Sequence, residues 1–164
     1  MFKKIAIIAS TSVLFVAGQA YAGITPSGAI KVNVSGTVSQ SVTLTCAQTF
    51  DATVSGNVIT VHANGKNLGT GSNCNLVTFT NDWTVTATPN ASGANFVVTG
   101  IKANTLTGNC NQTSANVVGG AWTNGSPGSG SITGSTDGTS FFLPKACNIN
   151  LAITTNPNIT VTNP

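Results

Sequence analysis

Few residues in this chain could take part in acid–base or nucleophilic chemistry. Its 164 residues include one histidine, His62, and three acidic residues, Asp51, Asp82 and Asp137. A serine–histidine–aspartate triad would have to use His62, and no serine lies in a G-x-S-x-G sequence. Catalysis usually needs a tuned acid, base, nucleophile or metal. We therefore expect no catalytic residues and no enzyme activity.

Metal and cofactor sites are equally hard to place. A single histidine excludes a site with two histidine ligands, and the sequence has no phosphate-binding loop, dinucleotide fingerprint or EF-hand loop. The four cysteines include no C-x-x-C pair of the kind that binds zinc: they are Cys46, Cys74, Cys110 and Cys147. The sequence predicts neither a metal nor a cofactor.

The even number of cysteines instead indicates two disulfides, as in exported proteins. Three pairings are possible, and we favour sequence order, with Cys46–Cys74 and Cys110–Cys147. In the chain-entropy account, closing loops of that size stabilises a fold by about 3–4 kcal/mol each.

The first 22 residues predict an export signal. Lys3 and Lys4 precede an apolar run from Ile5 to Val16, and the segment ends in Ala20-Tyr21-Ala22, which suits signal peptidase. A transmembrane anchor is the alternative, but the run is shorter than the roughly 20 apolar residues that span a bilayer. We expect cleavage after Ala22 and a secreted or cell-surface domain, extracellular or periplasmic, over residues 23–164, with no transmembrane segment left.

The remaining chain is nearly neutral. Four lysines against three aspartates give a net charge of +1; the lysines are Lys31, Lys66, Lys102 and Lys145. Such a chain lacks the basic surface that binds nucleic acid. Low charge also leaves little repulsion between copies, so self-association is possible.

Alternation of apolar and polar residues predicts an all-β fold. Apolar residues alternate in "AIKVNVSGTV", "SVTLTC", "WTVTAT" and "CNINLAI", and glycine or asparagine recurs between such stretches. About ten short strands result, typical of one antiparallel β-sandwich or partly open barrel. Residues 119–140 are rich in glycine and serine, and we interpret them as a long surface loop between late strands rather than an interdomain linker.

One hairpin can be predicted in register. If Gly56-Asn57 forms a two-residue type II′ turn, Ser55 pairs with Val58, and His62 lies opposite Asp51 on the wet face. That position explains His62 without catalysis, since opposite charges across strands contribute about 0.2–1 kcal/mol.

The two tryptophans have different sequence surroundings. Trp83 is in register with Val85 and Ala87, which favours the core, whereas Trp122 lies among glycines and is a candidate ligand or interface contact. A carbohydrate-binding module would need exposed aromatic residues, and only these two tryptophans are available.

Six short stretches resemble the bacterial family called protein activator of alkane oxidation. In order they are "SVTLTC", "CNLVTF", "WTVTATP", "GNC", "GGAWTNGS" and "ACNINLAITTNPNITV", and the resemblance covers Ser41 to Thr162. It implies a small exported protein with an accessory role in growth on n-alkanes, such as emulsifying or delivering hydrocarbon. It supplies no catalytic residues.

The leading hypothesis is a non-enzymatic, surface-active accessory protein whose partner is hydrocarbon or the cell surface. The alternative is a subunit of a fimbria or another extracellular polymer, in which residues 29–38 would act as a donor strand. Against it, the chain ends in Thr162-Asn163-Pro164, without the penultimate aromatic residue usual in chaperone–usher pilins.

Overall fold

The computed structural model describes residues 23–113, 117–140 and 146–163, and it is built almost entirely of β-strands. Seven strands make up the first half: β1 (Gly23–Thr25), β2 (Gly28–Ser39), β3 (Thr43–Ser55), β4 (Val58–Val61), β5 (Thr78–Phe79), β6 (Trp83–Asn90) and β7 (Gly93–Thr99). Six follow: β8 (Lys102–Thr105), β9 (Gly108–Asn111), β10 (Val118–Thr123), β11 (Ser129–Ser140), β12 (Cys147–Asn156) and β13 (Thr160–Thr162). A 3₁₀ turn spans Cys74–Leu76.

Eight of the strands close into an antiparallel barrel. The order around it is β2-β3-β4-β6-β7-β10-β11-β12, and β12 pairs with β2 to complete the circle. Neighbours in the barrel follow one another along the chain, so its topology is up-and-down. The all-β, antiparallel expectation is confirmed, and the choice between sandwich and partly open barrel resolves to a closed barrel.

Closure depends on a close approach between β2 and β12. Gly36 faces Leu151 across this pair, with φ at 151°, a conformation that side-chain-bearing residues rarely adopt. A Cβ atom there would overlap the carbonyl oxygen of Asn150. Glycine is therefore required at the seam where the barrel closes.

The core fills the barrel interior because inward residues alternate with outward ones. Trp83, Val85 and Ala87 of β6 are buried, as are Cys147, Ile149, Leu151 and Ile153 of β12, as their alternation predicts. The Trp83 ring lies 4.6 Å from Phe79 and 5.2 Å from Phe50, measured between ring centroids. The prediction that Trp83 belongs to the core is confirmed.

The hairpin β3–β4 has the predicted register. Ser55 pairs with Val58, Val54 with Ile59, and Ala52 with Val61. Gly56 has φ 61°, and Asn57 is not among the positive-φ residues, which fits a type II′ turn. The backbone N–H of His62 donates to the Asp51 carbonyl at 2.8 Å and continues the pairing.

The glycine- and serine-rich residues 119–140 are mostly strand, so the prediction of a long surface loop is wrong. They contain most of β10 and all of β11. The two strands pair with each other, from Val118 opposite Gly134 to Thr123 opposite Ser129. Glycines such as Gly120 and Gly130 lie against backbone or against the Trp122 ring, where larger side chains would collide. The composition reflects close strand packing rather than a loop.

The up-and-down topology sorts the connections between two ends of the barrel. At one end, which we call the sealed end, short turns join β3 to β4, β6 to β7 and β10 to β11, and the two-stranded sheet β1–β13 lies beside them. At the other, the open end, lie the β2–β3 turn and the described parts of two long excursions, residues 62–82 and 100–113. Strands β5, β8 and β9 belong to these excursions and extend the sheet from the far half of β11.

Candidate functional site

Four apolar side chains are exposed at the open end: Val117, just before β10, is 75% exposed, and the other three lie in the turns and excursions. Val42 of the β2–β3 turn is 58% exposed, Leu76 of the 3₁₀ turn 45%, and Leu106 between β8 and β9 53%. The alternation in "SVTLTC" predicted that Val42 would share the buried face of Cys46, and this expectation is wrong because the strand begins only at Thr43. Exposed apolar side chains gathered at one place indicate contact with something apolar.

A cleft of about 260 Å³ lies between these segments, and we call it the mouth cleft. Its walls come from β2, the β2–β3 turn, the first excursion and the β8–β9 region: Val38, Gln40, Val42, Leu44, Asn73, Val77, Thr105, Leu106, Thr107 and Cys110. Every described residue that lines it is uncharged. The cleft therefore suits a neutral, apolar guest.

The floor of the mouth cleft borders a second space inside the barrel. This upper cavity has a volume of about 30 Å³ and lies in the half of the barrel nearest the open end, against Phe79, Trp83 and Ala103. Three residues line both spaces: Val38, Val77 and Cys110. They form a neck between the exterior and the core.

Hydrogen bonds hold one edge of the mouth cleft in place. Gln40 accepts hydrogen bonds at Oε1 from the hydroxyls of Thr105 at 2.9 Å and Thr107 at 3.0 Å. These contacts join the β2–β3 turn to the β8–β9 turn. The cleft is thus shaped by contacts between segments that are distant in sequence.

Both disulfides lie at the same end. Cys46 of β3 is bonded to Cys74 in the first excursion, and Cys110 of β9 to Cys147 at the start of β12. This is the pairing favoured from sequence order. Each bond attaches an excursion to the barrel wall, and the second also fixes one side of the neck.

The only histidine belongs to a separate polar cluster on the outer wall. Thr53 Oγ1 lies 3.0 Å from His62 Nε2, and His62 Nδ1 lies 3.3 Å from Asp82 Oδ2. The backbone N–H of Asn64 donates to Asp82 Oδ1 at 3.0 Å. This N–H is the main reason that the pKa of Asp82 is lowered; His62 acts in the same direction, and desolvation opposes both.

His62 is the cross-strand neighbour of Asp51, as predicted, and is the smallest of the influences that lower the Asp51 pKa, but the main side-chain contacts of the two residues are with other groups. Asp51 pairs with Lys31 on the neighbouring strand β2, and this contact lowers the pKa of Asp51. His62 instead contacts Thr53 diagonally across the hairpin and Asp82 before β6. A hydroxyl, an imidazole and a carboxylate in line are the groups of a catalytic triad. They lie on an exposed wall, away from the mouth cleft, and their contacts join the first excursion to the barrel.

Trp122 is not available as a ligand or interface contact. Its side chain is 1% exposed and packs 6.1 Å from Phe96, measured between ring centroids, in the half of the barrel nearest the sealed end. It lines a lower cavity of about 20 Å³ that also touches Ile159. The glycines flanking it in sequence allow neighbouring strands to approach rather than leave it exposed.

The donor-strand interpretation of residues 29–38 also fails in this structure. They belong to β2, which pairs with β3 on one side and with β12 on the other. Neither edge is free to join a neighbouring molecule.

The described residues were also compared with the requirements of a metal site and of a membrane-spanning helix. No group of three histidine, cysteine, aspartate or glutamate side chains within them is placed to hold a metal ion. None of their helical segments has the length and hydropathy needed to cross a membrane.

Sequence reasoning missed the mouth cleft because its residues lie in three stretches that are far apart in sequence. Leu76 and Leu106 are single apolar residues among polar ones, and single exposed apolar residues are common on protein surfaces. The available signal was the placement of Val42, Leu76 and Leu106 beside turns, together with cysteines that bring those turns together.

Comparison with known proteins gives one match. No curated protein and no solved structure is significantly similar to the chain. The family model described as "Alkane oxidation protein activator PraA/PraB-like" matches residues 1–163, nearly the whole sequence. The chain, a disulfide-linked β-barrel with an apolar cleft at its open end, belongs to the alkane oxidation protein activator family.

Proposed function

We propose that this protein is an exported, non-enzymatic accessory factor that promotes alkane use by direct contact with hydrocarbon at its open end. The mouth cleft is the observation that carries the proposal. It combines exposed apolar side chains with a lining of uncharged residues, in a chain whose family is named for alkane oxidation.

The rest of the surface supports a protein that works at an interface without unfolding. Strand residues that point outward are mainly threonine, serine and asparagine, and the apolar residues are committed to the barrel interior. Such a protein can present its open end to an oil surface while the barrel stays closed. Low net charge reduces repulsion between copies that crowd there.

Export is supported by two features of the chain. The first 22 residues, outside the described part of the structure, have the charge, length and end of a signal peptide. Two disulfides at the open end suit an oxidising compartment.

The proposal is tested with a gene-deletion strain grown on hexadecane or succinate, complemented with wild-type protein or variants. We expect the double variant Val42→Asn/Leu106→Asn to complement poorly on hexadecane and to leave growth on succinate normal. The purified variant should also lower hexadecane–water interfacial tension less than the wild type does.

A matched control is Val97→Asn, which replaces an apolar residue of similar exposure on the outer face of β7 that does not line the mouth cleft. It should behave as the wild type in both assays. Equal loss in Val97→Asn would show that general surface hydrophobicity, not the mouth cleft, acts on hydrocarbon. Wild-type protein that changes neither interfacial tension nor growth on hexadecane would refute the proposed function.

A further inference from the structure

We infer that the mouth cleft and the upper cavity form one binding site, which takes the end of a single unbranched alkane chain. The inference rests on the proposed function and specifies its ligand. The chain would lie in the mouth cleft and pass its terminal methyl group through the neck toward Ala103 and Trp83.

The first support is that the two spaces adjoin each other. Val38, Val77 and Cys110 each line both, so only their side chains separate the cleft from the interior. Every described residue that lines the upper cavity is apolar or a cysteine. Apolar cavities of this kind stay dry and accept apolar guests.

The two volumes suit different parts of one ligand. An engineered cavity of about 150 Å³ is enough to hold benzene in another protein. The mouth cleft, at about 260 Å³, has room for several methylene groups, whereas the upper cavity, at about 30 Å³, has room only for the end of a chain. A linear alkane fits both spaces, with several methylene groups in the mouth cleft and its terminal methyl group in the upper cavity.

The neck favours an unbranched chain because its walls are stiff. Val38 and Val77 are β-branched, which restricts rotation about χ1. Cys110 is held by its disulfide to Cys147, which also lines the upper cavity. A branched alkane needs a wider opening than a linear one, and these residues have little freedom to provide it.

The lining also distinguishes an alkane from a fatty acid with the same tail. No charged side chain is among the described residues of either space. A carboxylate moved out of water needs a partner charge or several hydrogen-bond donors. A fatty acid that keeps its carboxylate in water must leave part of its tail outside the cleft, so the uncharged hydrocarbon should bind more tightly.

The test uses NMR on isotope-labelled, disulfide-intact protein with three probes: n-dodecane, a highly branched isomer of dodecane, and dodecanoate. We expect intermolecular NOEs from n-dodecane to the Leu106 methyls, the Ala103 methyl and the Trp83 ring. The branched isomer should reach Leu106 alone, and dodecanoate should bind more weakly than n-dodecane.

Ala103→Val provides a variant that fills the upper cavity. It should weaken n-dodecane binding by about fourfold for each methylene kept out of the protein. The control is Ala87→Val, which adds the same two methyl groups at a buried strand residue that lines neither space. If Ala103→Val does not fold, as judged by its thermal transition, the NOE pattern of the wild type decides the question.

The outcomes separate this inference from the proposed function. NOEs from n-dodecane to Leu106 but none to Ala103 or Trp83 would overturn insertion and leave hydrocarbon contact standing. Equal penetration by the branched isomer, or dodecanoate binding as tightly as n-dodecane, would overturn the assigned ligand. Absence of any alkane contact, together with unchanged interfacial tension, would overturn both.

Discussion

The two ends of the barrel differ in how completely they bury their apolar side chains. At the sealed end Ile24, Ile159 and Val161 are buried, although they lie in or beside strands of only three residues. At the open end Val42, Leu76 and Leu106 remain exposed, although longer segments surround them. Coverage of the barrel is therefore not set by the length of chain at each end.

Side-chain hydrogen bonds close the sealed end. Asn124 donates to the Val161 carbonyl at 2.8 Å and accepts from the Val161 N–H at 2.9 Å. Asn158 accepts from the Gly128 N–H and donates to the Gly125 carbonyl, each at 2.7 Å. The asparagine side chain both donates and accepts hydrogen bonds. One asparagine can therefore pair with a backbone N–H and a backbone carbonyl that have no partner on a neighbouring strand.

At the open end two disulfides supplement side-chain hydrogen bonds such as those of Gln40. They attach the excursions at Cys74 and Cys110 and leave the space between the excursions unfilled. A covalent link fixes a segment without requiring the apolar contacts that would cover the cleft. The sealed end therefore contributes mainly to stability, whereas the open end holds an exposed apolar surface in a fixed shape.

The largest effect should come from removing the ring that fills the sealed half. Trp122→Ala is expected to lower the free energy of unfolding by about 3–5 kcal/mol, since it leaves a large cavity in a packed core. Chemical denaturation followed by circular dichroism measures the change.

Leu106→Ala at the open end is the matched comparison. Because Leu106 is about half exposed, its loss should change stability by no more than about 0.5 kcal/mol. A destabilisation of similar size in both variants would show that the open end is part of the structural core, and the contrast between the ends would fail.

The second effect concerns the disulfide at the neck. Replacing Cys110 and Cys147 together by serine should cost about 3–4 kcal/mol, because the closed loop spans a sequence separation of 37 residues. Hydrogen exchange in the folded variant should quicken in residues 100–113, while the β1–β13 sheet stays protected. Uniform acceleration along the barrel would contradict the assignment of this disulfide to the open end.

The features that could be predicted from the sequence are those that depend on residues close together in the chain. The inward faces of β6 and β12, and the register of the β3–β4 hairpin, follow from alternation and from Gly56-Asn57, so they were predictable. Closure of the barrel was not, because the β2–β12 seam joins residues far apart in sequence, such as Gly36 and Leu151. Alternation fixes a face but not a partner strand.

The same distinction explains the errors at candidate sites. Trp122 seemed accessible because its neighbours are small, yet those glycines permit close strand packing around it. The sequence indicated Asp51 as the partner of His62 because both belong to one hairpin. Asp82 lies 20 residues further along the chain, and only the fold brings it to His62. Both the mouth cleft and the His62 cluster depend on where long connections return to the barrel.

The smallest effect should come from the polar cluster that joins the first excursion to the wall. The pKa of Asp82 is lowered in the folded protein, chiefly by the Asn64 N–H, so folding favours its ionised form. Its contribution to stability is present above the ordinary aspartate pKa of 3.8 and is lost as the pH falls through the lower, folded value. Because Asp82 is partly exposed, we expect this contribution to be less than about 1 kcal/mol.

Asp82→Asn is the variant that tests this contribution, since it keeps the shape of the side chain and removes its titration. Unfolding measured from pH 7 down to pH 2 should give a shallower acid dependence than in the wild type, with faster hydrogen exchange at residues 62–66. Asp51→Asn is the control on the barrel wall: its pKa is also lowered, by Lys31, so it too should flatten the acid dependence. It should affect exchange at residues 62–66 less than Asp82→Asn does, because the main partner of Asp51 is Lys31 on β2, and Lys66 and His62 of the excursion contribute less. If the two variants loosen those residues equally, the His62 cluster does not hold the excursion, and the open end owes its shape to the disulfides.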